Sequence, residues 1–87
     1  MASKALIRYK ASVEKDLRRI GKPNTPKIMN KLEKDLGNNP DQGIPLKGDF
    51  EGLFKYRIGD YRIIYEVDDA RLEVTLIKIG HRREVYE

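Results

Sequence analysis

The 87-residue chain contains no cysteine, which excludes disulfides, thiolate zinc sites and a cysteine nucleophile and suits a reducing compartment. A single histidine, His81, cannot build a His-rich metal site, and the carboxylates show no calcium-loop or paired-ligand spacing. No apolar run approaches the roughly 20 residues that span a bilayer. The N-terminal MASKALIRYK lacks the apolar core of a signal peptide. Gly-rich phosphate loops, internal repeats and low-complexity segments are also missing. These absences lead to the expectation of an intracellular, cytoplasmic protein without metal, cofactor or membrane, in which residues 1–87 make one domain around one core.

Charge is plentiful and uneven. The net +4 comes from 18 basic and 14 acidic side chains. Residues 1–40 hold ten Lys/Arg against four Asp/Glu, a net of +6, while residues 41–87 hold eight against ten, a net of −2. A basic balance favours a polyanionic partner through electrostatic steering and says nothing about fold.

The chain is organised around Leu53 to Val67, LFKYRIGDYRIIYEV. Two runs rich in aromatic and β-branched residues flank Gly59-Asp60, a strong signal for a hairpin with glycine at the first turn position. That turn sets the register: Ile58 faces Tyr61, Arg57 faces Arg62, Tyr56 faces Ile63, Lys55 faces Ile64 and Phe54 faces Tyr65. Alternation then divides the ribbon into an aromatic face (Phe54, Tyr56, Ile58, Tyr61, Ile63, Tyr65) and a cationic face (Lys55, Arg57, Arg62, with Ile64). Two arginines directly across a strand pair repel, so a carboxylate such as Asp60 or Glu66, or an anionic ligand, is expected to compensate them.

Ahead of the hairpin, Lys4 to Tyr9 reads as a short strand. Val13, Leu17 and Ile20 form one stripe of a helix over Lys10 to Ile20, ended by Gly21 and Pro23. A second helix should start near Asn24 or Thr25, either able to N-cap, with Pro26 at the first helical position. Ile28, Met29, Leu32 and Leu36 give its buried stripe, Gly37 and Asn38 its end, and Lys27, Lys31 and Lys34 its wet face. Asn39 to Glu51, punctuated by Pro40, Gly43, Pro45 and Gly48, reads as a long loop. After a polar turn at Val67 to Arg71, Leu72 to Ile79 makes a last strand with apolar residues on both faces. The predicted architecture is α+β: β-α-α-β-β-β, a small twisted antiparallel sheet with an N-terminal helical hairpin packed on the aromatic face. The cationic face is left uncovered.

If the last strand pairs with Tyr61 to Val67, the tail GHRREVYE brings His81, Arg82, Arg83 and Tyr86 toward the hairpin cations. Cations around one phosphate stabilise the extra negative charge of a phosphorane without a metal. RNA carries its own nucleophile, the 2′-OH, so a protein need supply only positioning, charge and proton transfer. A solvated cationic face and a frayed terminus are the competing structural readings.

The hairpin FKYRIGDYRIIYEV, the strand after it and the ending IGHRREVY resemble the RelE branch of the RelE/ParE toxins of bacterial toxin-antitoxin modules, and the element order agrees along nearly the whole chain. The resemblance implies a metal-independent endoribonuclease that enters the ribosomal A site, formed on 16S rRNA, cleaves mRNA there and so inhibits translation. It also implies neutralisation by a cognate antitoxin protein, with operator DNA met only through the antitoxin complex. Residue by residue, it puts the catalytic basic pair on Lys55 and Arg57 and the phosphate-holding arginine on Arg62. The tail arginine falls on Arg82, with Arg83 as competitor, and the near-terminal tyrosine on Tyr86. Lys55 or Tyr86 would help deprotonate the 2′-OH, and the tail arginine would serve the leaving 5′-oxygen. His81 stands where some relatives have a basic residue; toxins of the YoeB kind use a terminal His and Tyr with a Glu, so it reads either as a general base or as a positioning or structural group. The chain ends one residue after Tyr86, so the C-terminal helix of some relatives is not expected. A ParE-like toxin, which shares the fold and poisons DNA gyrase without nuclease chemistry, is the alternative.

Overall fold

The computed structural model describes residues 4–81, which run β1 (Leu6–Tyr9), α1 (Ala11–Ile20), α2 (Asn24–Asn38), β2 (Ile44–Pro45), β3 (Phe54–Ile58), β4 (Tyr61–Asp68) and β5 (Glu73–His81). The strands form one sheet in the order β1-β5-β4-β3-β2. β3 and β4 pair antiparallel in the register that the Gly59-Asp60 turn dictates, Ile58 with Tyr61 through Phe54 with Tyr65. Gly59 takes φ +57°, which glycine adopts without a Cβ penalty.

Two parts of the sheet differ from expectation. β1 joins β5 in parallel, Ile7 beside Val74 and Tyr9 beside Leu76, so the sheet is mixed. The chain from β1 passes through both helices before it returns, which is the kind of long crossover a parallel pair requires. The segment after α2 is also more ordered than a loop, with single 3-10 turns at Pro40–Gln42 and Gly48–Phe50 and the two-residue strand β2 against β3.

The two helices cover the aromatic face. Val13, Ile28, Leu32 and Leu36 form one core with Ile63, Tyr65, Val74, Leu76 and Ile79. Wholly buried residues such as Leu32 and Leu36 contribute about 1.5–3 kcal/mol each. The N-terminus of α2 is not capped by Asn24 or Thr25. The Thr25 hydroxyl instead donates to the carbonyls of Leu17 (2.9 Å) and Gly21 (3.1 Å), satisfying the end of α1, and Pro26 falls at the third helical position. α2 ends at Asn38, as Gly37 and Asn38 led one to expect, and the Gly37 carbonyl accepts the Ala5 N–H (2.7 Å), tying the helix to the start of β1.

β5 carries the sharpest departure from simple alternation. Ile64 pairs with Lys78 but Tyr65 pairs with Leu76, so Ile77 is an extra residue in a β-bulge. The bulge reverses the phase of the strand. Val74 and Leu76 before it and Ile79 after it all reach the helix-facing core, and Lys78 turns to the open face. Of the apolar residues expected on both faces, Val74, Leu76 and Ile79 are gathered on one, and the bulged Ile77 stays half-buried outside that core.

Beyond Leu76 the outer side of β5 has outrun β1, and α1 takes the place of a strand there. Ser12 donates its hydroxyl to the Ile77 carbonyl (3.4 Å), and the buried Asp16 carboxylate accepts the Ile79 N–H (3.1 Å). Replacing Asp16 with Ala should therefore strand a buried N–H and cost about 1–3 kcal/mol, read as a lower urea midpoint with unchanged slope. Asp16→Asn, which keeps an acceptor oxygen, should recover most of the loss. Equal midpoints for wild type and Asp16→Ala would remove this contact from the fold's supports.

Candidate functional site

The uncovered face is defined by rows of cross-strand neighbours. One row runs Gly80, Arg62, Arg57; the next runs Lys78, Ile64, Lys55, Ile44. The following rows change sign, with Thr75 beside Glu66 and Glu73 beside Asp68. Arg8 on β1 bonds to Glu73 at 3.1 Å. The open face is thus cationic toward the Gly59-Asp60 turn and acidic toward the opposite end.

β2 pairs with β3 only at Ile44–Lys55 and Pro45–Phe54, so among the described residues the outer edge of β3 has no strand beside it from Tyr56 onward. A cleft of about 480 Å³ opens there, with Gln42, Gly43 and Ile44 on one side and Lys55, Tyr56, Arg57 and Arg62 on the other. Lys55 and Arg62 are half-buried and Arg57 is exposed.

Tyr65 and Tyr56 hold the walls of this cleft. Tyr65 is wholly buried, stacks on Phe54 with ring centroids 5.4 Å apart, accepts the Gly43 N–H (2.9 Å) and donates to the Pro40 carbonyl (2.8 Å). Burial pushes its phenol pKa up, keeping it in the neutral form that can donate. Gly43 passes so close that a Cβ would sit 2.9 Å from the Lys55 carbonyl and closer still to the Tyr65 hydroxyl. Tyr56 donates its O–H to Asp35 of α2, whose carboxylate also pairs with Lys31 at 3.2 Å. Burial, and then the bond to Asp35, raise the Tyr56 pKa to about 12, while that bond and Lys31 hold Asp35 below its ordinary value. Gln42 donates to the Asp35 and Asn39 carbonyls, closing the end of α2.

Of the residues singled out in sequence, Lys55, Arg57 and Arg62 come together around one cleft. His81 does not join them: it pairs with Tyr61, a residue of the other face, and meets that ring edge-on at 5.9 Å. Arg82, Arg83 and Tyr86 lie outside the described residues. Lys78 was missed. A lysine three residues before His81 in a strand whose buried hydrophobic side chains are Val74, Leu76 and Ile79 was the available signal, since only a phase shift keeps it out of the core. Among the described residues no three His, Asp or Glu side chains gather to hold a metal ion, and no helix is long and apolar enough to cross a membrane.

A family model described as the ParE toxin of type II toxin-antitoxin system, parDE, matches residues 7–86. Toxin RelE of Mycobacterium tuberculosis is 36% identical over 77 residues, covering 87% of this chain and 79% of its own length. The chain belongs to the RelE/ParE toxin superfamily. It is a toxin of the type II toxin-antitoxin kind, of the RelE family. Toxin RelG of the same organism is 27% identical over 81 residues, 92% of this chain and 93% of its own length. In structure the toxin is similar to a chain of the M. tuberculosis RelBE2 toxin-antitoxin complex, with a TM-score of 0.88 and 25% identity, covering 94% of this chain and 95% of that one.

Two outcomes follow for the cleft walls. Gly43→Ala should force Tyr65 or β3 to move, lowering stability by about 1–3 kcal/mol in urea unfolding. Tyr56 titrates at a raised value in the folded toxin, so its contribution is whole below about pH 10 and is lost as pH rises toward about 12. Comparing melting temperatures of wild type and Tyr56→Phe from pH 8 to 12 should show the gap between them closing over that interval. A gap constant with pH would contradict the Tyr56–Asp35 assignment.

Proposed function

We propose that the toxin is a ribosome-dependent mRNA endoribonuclease that works by attack of the RNA's own 2′-OH. The observation that carries this reading is the gathering of Lys55, Arg57 and Arg62 on rigid strands around one open cleft. Like charges opposed across a strand pair are destabilising, and a phosphate seated among them relieves that repulsion. As the 2′-oxygen bonds to phosphorus, charge builds on the non-bridging oxygens and the cations stabilise it. The 2′-OH proton passes to a base, for which Lys55, Tyr86 and His81 are the candidates. The bond from phosphorus to the 5′-oxygen breaks, and that oxygen takes a proton with help from Arg82 or Arg83. The products are a 2′,3′-cyclic phosphate and a 5′-hydroxyl, with no external nucleophile and no call on a metal.

The cations supply charge and position but no evident strong base. The ribosome, by bending mRNA in the A site against 16S rRNA, supplies the attack geometry. The partner that silences this face is inferred to be an acidic antitoxin that folds on binding, as the RelBE2 complex contains a toxin bound to its antitoxin. Operator DNA is reached through that complex. The name of the matching family model, ParE, favours a second reading, inhibition of DNA gyrase by contact without strand chemistry.

Purified toxin should cut mRNA on programmed ribosomes, leave free mRNA largely intact, and be reversed by the antitoxin encoded beside it. Arg62→Ala should lose cleavage by at least about a hundredfold while keeping a wild-type circular dichroism spectrum. Inhibited supercoiling in a parallel gyrase assay, with ribosome-bound message intact, would replace the nuclease reading with the ParE one.

A further inference from the structure

The row Lys78, Ile64, Lys55 has a feature that the cleft does not explain. Ile64 lies on the open face, against which neither α1 nor α2 packs, yet is only 8% exposed. Its direct neighbours on the two sides are Lys55 and Lys78, both half-buried. Lysine stems laid along an apolar floor, with their ammonium groups at the water boundary, account for all three exposures. The two lysines stand two strand spacings apart, about 10 Å between Cα atoms, and no side chain stands on β5 in the Arg62 row because Gly80 occupies it. Lys78 lies outside the cleft, so it extends the cationic surface rather than lining the same hollow. Toward the other end Glu66 comes next on the open face, followed by Asp68 and Glu73, which pair with Arg71 (3.9 Å) and Arg8 (3.1 Å), so the run of cations ends at the Lys78 row.

We infer that Lys78 is a second phosphate-binding cation, which holds the phosphate next to the one seated at Lys55, Arg57 and Arg62 and makes the RNA backbone cross the sheet from β3 to β5. This inference rests on the nuclease reading above. Lys78 touches a phosphate that does not react, so its contribution is to binding and register and not to the bond-breaking step. The β-bulge at Ile77 is what makes the subsite, because in an unbroken strand this side chain would point at the helices.

The test is single-turnover cleavage of mRNA on programmed ribosomes, with toxin titrated over wild type, Lys78→Ala, Lys78→Met and Lys78→Arg at several salt concentrations. Lys78→Met keeps an apolar stem over Ile64 and loses only the charge. Lys78→Ala and Lys78→Met should raise the half-saturating toxin concentration about three- to tenfold with the maximal rate within about twofold. The log-log salt dependence should become shallower by about 0.7, the share of one phosphate contact on a single strand. Lys78→Arg should restore both. A wild-type titration for Lys78→Met would overturn the inference while leaving the nuclease reading intact, whether or not Lys78→Ala is impaired, since the residue would then serve packing alone. A wild-type toxin that leaves ribosome-bound message uncut would overturn both together.

Discussion

The single extra residue in β5 is the constraint on which both faces of the sheet depend. Val74, Leu76 and Ile79 must all be withdrawn from water, and a strand of strict period two cannot point three residues at spacings of two and three to the same side. Ile77 absorbs the mismatch, and the pairing with β4 resumes with Lys78 opposite Ile64. The core and the cationic face are consequences of one register shift. Without it the same sequence would bury a lysine and expose Ile79.

A bulge interrupts pairing, and α1 repairs the damage. Asp16 would be a poor choice for a core position on hydrophobicity alone, since burying a carboxylate is costly unless it is hydrogen-bonded. Its bond to the Ile79 N–H, with Ser12 on the Ile77 carbonyl, gives the end of β5 the partners that a longer β1 would have provided. Toward the β2 edge of the sheet Tyr65 does similar work for the segment after α2. One buried phenol fixes Pro40 and Gly43, and so sets where β2 can begin and how wide the cleft beside Lys55 can be.

The hairpin was legible from sequence because a two-residue turn leaves no freedom of register, and the opposition of Arg57 and Arg62 followed from Gly59-Asp60 alone. The helices were legible through their apolar stripes, but their junction was not. Thr25 looks like an N-cap in one dimension and serves the preceding helix in three, because the chain reverses at once and brings the Leu17 carbonyl within reach. The parallel entry of β1 was hidden for a different reason, as strand direction depends on a partner more than sixty residues away. Lys78 was lost to an assumption of unbroken alternation, and its position was recoverable only by asking where a lone charge in an apolar strand could go. The tail residues rest on resemblance to the family, since residues 82–87 lie outside the description.

Net charge is a poor guide to where this molecule gathers its cations. Residues 1–40 carry the positive excess, yet cations such as Lys27, Lys31 and Lys34 are spread over exposed helix surface, with Lys31 paired to Asp35. Residues 41–87 are net negative and contain the cluster. What separates the two halves is rigidity: on adjacent strands the spacing of Lys55, Arg57, Arg62 and Lys78 is set by backbone pairing, so these cations are placed without further ordering. The acidic end of the same face sharpens this further. With Glu73 held by Arg8, Asp68 3.9 Å from Arg71 and Glu66 standing beyond Ile64, the face carries unmixed cations at one end and its carboxylates at the other, an asymmetry set by strand pairing.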